Sequence, residues 1–298
     1  MALVAILASC GGGGDGGTIA ADGSSTVGPY VTAAVEGFRD EQPDVNITVG
    51  ISGTGGGFER FCRGEIDLSN ASRPIKEEEA AVCEENGVEY VEFQVANDAL
   101  TLVVNPENDW VSCLTVDALE AIWRPGSKIT NWNQVRETFP DVPLKLFGAG
   151  TDSGTFDYFT DAILGQEGAS RTDYSASEDD NVTVQGVSGT KGGLGYFGFS
   201  YFEENQDKLR SVEVDGGDGC VPPSVATAQD GSYTPLSRPL FVYAKKQSFQ
   251  RKDVEEFIQY VLDNGTMIAE RAQFVPLNDE QLAEQTERFE QALSEVGS

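Results

Sequence analysis

Three short stretches of glycine and hydroxyl residues, each running straight into a helical pattern, hold the chemistry this chain can do. They read Gly-Ser-Ser-Thr-Val-Gly-Pro over 23–29, Ser-Gly-Thr-Gly-Gly-Gly-Phe over 52–58 and Thr-Asp-Ser-Gly-Thr-Phe-Asp over 151–157. A helix N-terminus leaves backbone N–H groups unpaired and carries about half a positive charge, so three that converge would cage one small oxyanion. That chemistry is anion capture rather than catalysis. Each stretch alone could equally be a helix N-cap beside a turn.

The rest of the chain thins out the catalytic alternatives. It contains no histidine, which removes a Ser-His-Asp triad, a histidine general base and His-ligated zinc. A secreted phosphatase with a nucleophilic Ser or Thr remains the rival from another class, and it would need a base or metals. The acidic, glycine-rich stretch 215–219 lacks the spacing and the final Glu of a calcium loop and reads as a turn. No cofactor and no metal site is expected.

Charge bounds the partners. Twenty Lys and Arg against 49 Asp and Glu give a net charge of -29, which argues against nucleic acid or a basic membrane-binding surface. It does not argue against a caged anion. A carboxylate ~20 Å away repels a unit charge by ~0.2 kcal/mol in water, whereas one hydrogen bond to a charged group is worth roughly 1.5–3 kcal/mol.

The elements that must position these loops alternate. Strands are expected over 18–21, 45–51, 66–71 and 88–96, with helices over 27–40, 58–63 and 76–86 between them. A second series has strands over 100–104, 144–148, 182–187, 195–199 and 240–244, and helices over 116–123, 156–164, 201–208, 252–262 and 279–295. Such alternation is an α/β pattern. At 298 residues the chain exceeds the size at which one core stops growing, so two lobes are expected. The first two loops fall on one and the third on the other, at the carboxyl ends of strands where α/β sheets hold ligands.

Cys10 stands apart from the other cysteines. It closes an apolar run ending Leu-Ala-Ser-Cys and precedes a glycine-rich stretch, which resembles a bacterial lipobox with a flexible tether and makes Cys10 the expected lipid attachment site. Cys62, Cys83, Cys113 and Cys220 show no Cys-x-x-Cys spacing, and in an exported protein four thiols allow three pairings. Cys62 with Cys83 and Cys113 with Cys220 is the expected set, because each pair then stays within one lobe. Free thiols are the alternative.

Five motifs in order carry a resemblance that covers nearly the whole chain: the Ser-Ser-Thr loop before Pro29, the glycine-rich loop before Phe58, Asp-x-x-x-Ala-Ser over 67–72, Ser-Gly-Thr over 153–155 and Gly-Tyr-Phe-Gly-Phe over 195–199. In these the chain resembles the periplasmic phosphate-binding proteins of the ABC-type phosphate importer, the PstS family. The resemblance implies an α/β, two-lobed periplasmic-binding-protein fold of type II-like form, with the ligand in the inter-lobe cleft. It implies lobes over 18–96 plus 235–298 and over 97–234, after a leader and tether over 1–17.

The same resemblance implies a role without catalysis: capture of inorganic phosphate outside the cytoplasmic membrane and delivery to a membrane permease, by a lipid-anchored monomer at the periplasmic or cell surface. Another tetrahedral oxyanion, such as sulfate, is the alternative ligand, and a phosphate sensor or adhesive surface lipoprotein the alternative role. Carried over by position, the ligand set is Ser25, Thr26, Thr54, Gly55, Gly56, Ser72, Ser153, Gly154 and Thr155. Two departures stand out. Where the family has an Asp after Ala-Ser, this chain has Ser72 and then Arg73; where it has an Arg six residues before Thr155, it has Ala149. Arg73 is therefore the expected guanidinium, with an ion pair as its alternative, and Asp152 the expected proton acceptor or else an N-cap.

Overall fold

The computed structural model describes residues 17–296. Eleven strands form one branched sheet, β1 (Ile19–Gly23), β2 (Ile47–Val49), β3 (Leu68–Ala71), β4 (Tyr90–Val104), β5 (Cys113–Thr115), β6 (Lys145–Ala149), β7 (Ser175–Ser177), β8 (Gly193–Gly198), β9 (Arg210–Asp215), β10 (Cys220–Val221) and β11 (Ser237–Lys245). The path runs β2-β1-β3-β11-β4-β8-β6-β7, and β9, which pairs with β4, carries β5 and β10. Both ends of the path are parallel, β2 on β1 on β3 at one and β8 on β6 on β7 at the other. The middle, β3-β11-β4-β8, is antiparallel.

Helices follow the parallel strands, as crossover connections require. They are α1 (Gly28–Glu41), α2 (Gly53–Cys62) and α3 (Glu77–Glu85) in the first half, then α4 (Val116–Trp123), α5 (Trp132–Val135), α6 (Gly154–Leu164) and α7 (Asp180–Ser188). Apolar residues divide accordingly. One large cluster joins Tyr30, Val31 and Phe38 of α1 to Phe257 and Val261 of the helix Lys252–Asp263. Another joins Leu119 and Trp123 of α4 to Phe156 and Phe159 of α6 and to Tyr196 of β8. This is the mixed, two-lobed α/β architecture expected from the pattern.

Several elements differ from expectation. The strands read over 88–96 and 100–104 are one strand, β4, because the polar Asn97 and Asp98 that interrupt the apolar run are buried and laddered to Pro239 and Arg238 of β11. Residues 182–187 are helical in α7 rather than a strand: Asp179 caps the helix by accepting from Asn181 N, and Thr183, Val184 and Val187 bury at helical spacing. The helix read from 58 begins at Gly53, so the glycine-rich loop is itself the first turn. Gly57 lies so close to β1 that a Cβ there would sit 2.6 Å from Gly23 Cα. Leu236 and Val275 pack with the second lobe's clusters, although both fall in the stretch 235–298 expected to belong to the first.

The cysteine sulfurs pair Cys62 with Cys83 and Cys113 with Cys220. Cys10 lies outside the described residues. Among the described residues no helix is long and apolar enough to cross a membrane.

Candidate functional site

A cleft of about 660 Å³ opens between the loops after β1, β2 and β3, the helix α6 and the start of β11. Its first wall is built from the carboxyl ends of β1, β2 and β3. Ser25 and Thr26 come from the turn into α1, Thr54, Gly55 and Gly56 from the first turn of α2, and Ser72 and Arg73 from the residues after β3. The hydroxyls of Thr54 and Ser72 meet at 3.1 Å, and Ser72 N donates to Thr54 Oγ1 at 3.3 Å. Two of the three sequence loops therefore share one surface.

The third loop approaches from the other lobe. A Cβ on Gly154 would lie 3.2 Å from Thr26 Oγ1, so the start of α6 abuts the first loop. Ser153 is the N-cap of α6, its Oγ accepting from Thr155 N at 3.2 Å. Ser153, Gly154 and Thr155, expected to touch the ligand, do not line the cleft; α6 lines it through its next turns, with Asp157, Tyr158 and Asp161. Asp152 does not line it. That residue is exposed, and its N–H donates to Glu178 Oε1 at 3.3 Å.

Arg73 lines the cleft with its charge already engaged. Nη1 and Nη2 each donate to Glu79 at 2.8 Å, and Nη1 donates also to Pro74 O. Burial raises the pKa of the Glu79 carboxyl, but its hydrogen bonds to Arg73 and to Lys76 N outweigh that and hold it below the ordinary carboxylate range. The ion pair anticipated as the alternative for Arg73 is thus present, within one lobe.

Sequence reading missed the second guanidinium. Arg238, on β11, donates from Nε to Asp98 Oδ2 at 3.2 Å and from Nη2 to Thr26 Oγ1 at 3.0 Å, and stacks on the Tyr158 ring with Cζ 3.6 Å from its centroid. Nη1 meets no hydrogen-bond acceptor among the described residues and belongs to a side chain that lines the cleft. A signal was present. Ser-Arg-Pro occurs twice, at 72–74 and at 237–239, and because β3 and β11 are antiparallel neighbours both copies arrive at the same cleft.

Asp157 was also missed. Burial raises its carboxyl pKa, and the Arg238 charge pulls it partly back. With it the lining carries three cations, Arg73, Lys76 and Arg238, against three acids, Asp157, Asp161 and Glu167. The cleft is locally balanced in a chain of net charge -29, so local donors rather than the overall charge decide what enters. For a metal, the described residues offer one grouping, Cys113, Glu213 and Cys220, whose two sulfurs are joined to each other.

Comparison with known proteins identifies the family. A family model described as PBP superfamily domain matches residues 8–264. Protein SphX of Synechococcus elongatus is 48% identical over 91% of this chain and 81% of its own length. The phosphate-binding protein PstS of Staphylococcus saprophyticus is 39% identical over 96% of this chain and 90% of its own. A crystal structure of a possible phosphate binding protein from Planctomyces limnophilus superposes with a TM-score of 0.88 at 48% identity, covering 93% of this chain and 99% of that one. With a family model over most of its length and relatives this similar across nearly all of it, the chain belongs to the PstS family of phosphate-binding proteins within the PBP superfamily.

Proposed function

We propose that this chain binds inorganic phosphate in the inter-lobe cleft, outside the cytoplasmic membrane, and delivers it to the permease of an ABC-type phosphate transporter. The observation that supports this most is the meeting of Thr26, Thr54 and Arg238 at one cleft, with the start of α6 against Thr26 from the other lobe. Backbone N–H groups at the starts of α1, α2 and α6 and the hydroxyls of Ser25, Thr26, Thr54, Ser72, Ser153 and Thr155 supply donors to a tetrahedral oxyanion. Gly55, Gly56 and Gly154 let backbone approach it. Arg238 offers its open Nη1 edge, and Arg73 adds charge from the first wall.

Asp157 takes the acceptor role first assigned to Asp152. A carboxylate can accept the O–H of monohydrogen phosphate and meets an unshared like charge in sulfate, which carries no proton at neutral pH. Binding rather than turnover is the role of the site. Anion contacts from both lobes, 18–96 plus 235–298 on one side and 97–234 on the other, favour a closed state over an open one. The chain works as a monomer, with a lipid on Cys10 holding it at the membrane.

The test is calorimetric titration of the purified chain with phosphate and with sulfate. A saturable 1:1 phosphate isotherm with much weaker sulfate binding is expected. Equal affinities make it a general oxyanion receptor, and no phosphate binding at millimolar concentration retires the reading. Mass spectrometry of the membrane-extracted mature protein checks the lipid on Cys10.

A further inference from the structure

The same local construction stands behind one ligand loop in each lobe. In the first, Gly50 follows β2 and donates its N–H to Ala21 O of β1 at 2.8 Å. The next residue on β1, Asp22, turns its carboxylate under the loop, and Oδ1 accepts from Ser52 N at 3.0 Å and from Gly23 N at 2.7 Å. In the second, Gly150 follows β6 and donates its N–H to Ser177 O of β7 at 3.0 Å. The next residue, Glu178, accepts from Asp152 N at 3.3 Å.

The correspondence holds residue by residue. A glycine leaves the strand, its neighbour strand supplies a carboxylate one position on, and that carboxylate takes the N–H two residues after the glycine. Both glycines leave room for the contact: a Cβ on Gly50 would meet Asp22 at 2.8 Å, and one on Gly150 would meet Glu178 Oε1 at 1.9 Å, so either carboxylate would have to shift. The two acids differ in surroundings. Asp22 is 3% exposed and its other oxygen pairs with Arg60 Nη1, whereas Glu178 is exposed.

We propose that Asp22 and Glu178 are equivalent positioning residues, carboxylate braces that hold the second and third anion loops at the geometry in which their amides reach the ligand. This rests on the phosphate-binding reading. Neither side chain lines the cleft. The proposal runs against simple charge logic, because an acid behind an anion site repels the anion and its neutralisation should tighten binding. A brace predicts the opposite sign. In Asp22→Asn the new amide would present a donor to Arg60, a donor, so the side chain can satisfy either Arg60 or the loop amides and not both.

The experiment is phosphate titration of the full chain as Asp22→Asn, Asp22→Asn/Arg60→Gln and Glu178→Ala, with circular dichroism confirming a folded state. Asp22→Asn is expected to weaken binding roughly tenfold, on the scale of one lost charged hydrogen bond. Adding Arg60→Gln, which offers an acceptor to the new amide, recovers most of that loss. Glu178→Ala costs about threefold, as suits a longer and more exposed contact. If Asp22→Asn fails to fold, the double variant and Glu178→Ala carry the test. A folded Asp22→Asn chain that binds phosphate as well as wild type or better, or a Glu178→Ala chain that is unchanged, overturns the brace while wild-type binding stands. A wild-type chain that binds no phosphate removes the ligand reading and this inference together.

Discussion

The guanidinium of Arg238 lies over the ring of Tyr158, its Cζ 3.6 Å from the centroid, and so fastens β11 to α6. The same side chain reaches Thr26 in the first lobe and Asp98 on the crossing strand β4. Arg238 thus joins the first loop, the crossing strand and α6.

Arg238→Ala is expected to weaken phosphate binding by a factor of at least about 30, since a charge-assisted hydrogen bond and the support of Thr26 go together. Arg73→Ala is expected to cost less, about threefold to tenfold, because both Nη atoms of Arg73 are already held by Glu79. Titration of the two variants side by side measures the order, and a larger loss at Arg73 reverses the assignment.

Asp157→Asn is expected to shrink the preference for phosphate over sulfate by about tenfold, mostly through tighter sulfate binding, because an amide can donate where a carboxylate only accepts. The wild-type preference should also narrow with acid. Burial raises the Asp157 pKa, so the charged acceptor is present above that raised value and lost as pH falls through it. Competition titrations from neutral to mildly acid pH check both.

How far the sequence revealed this site depends on the kind of residue. The glycine-and-hydroxyl loops were legible because the same device recurs three times before a helix, and two of the three line one cleft. Side chains that act from regular elements were not. Asp157 closes the third stretch but sits in the first turns of α6, and Arg238 precedes the strand read over 240–244 although it lies within β11. Of the fold, parallel units were clear, whereas β4 looked broken at Asn97 and Asp98 because burial of that polar pair depends on β11, far away in sequence. The Val-Thr-Val run at 182–184 carries strand propensity, and the Asp179 cap with packing against β8 overrides it.

Asp180 supplies a pH test independent of ligand. Burial, followed by the charges of Asp179 and Glu178, pushes its pKa up to about 6. The folded state therefore favours the protonated form, and the contribution of this group to stability is present below about pH 4 and lost as pH rises through about 6. Asp180→Asn should raise unfolding free energy at pH 7 by on the order of 1 kcal/mol, after allowance for partial solvent screening, and by nothing at pH 3.5. Urea denaturation at the two pH values measures the difference.

The cysteine pairs close loops of different size, with sequence separations of 107 for Cys113–Cys220 and 21 for Cys62–Cys83. In the chain-entropy description the larger loop contributes about 1.5 kcal/mol more. Cys113→Ala/Cys220→Ala is accordingly expected to lower the urea midpoint further than Cys62→Ala/Cys83→Ala. Equal shifts would point to local packing as the dominant cause.

Strand β4 runs 15 residues and serves both halves in turn, Tyr90 to Ala99 laddered to β11 and Leu100 to Val104 laddered to β8. At about 3.3 Å per residue it reaches roughly 50 Å. The halves are leaves of one woven fabric rather than beads on a string. Calorimetry should accordingly show a single melting endotherm, and amide protons at the seam should exchange with deuterium as slowly as those deep within either half.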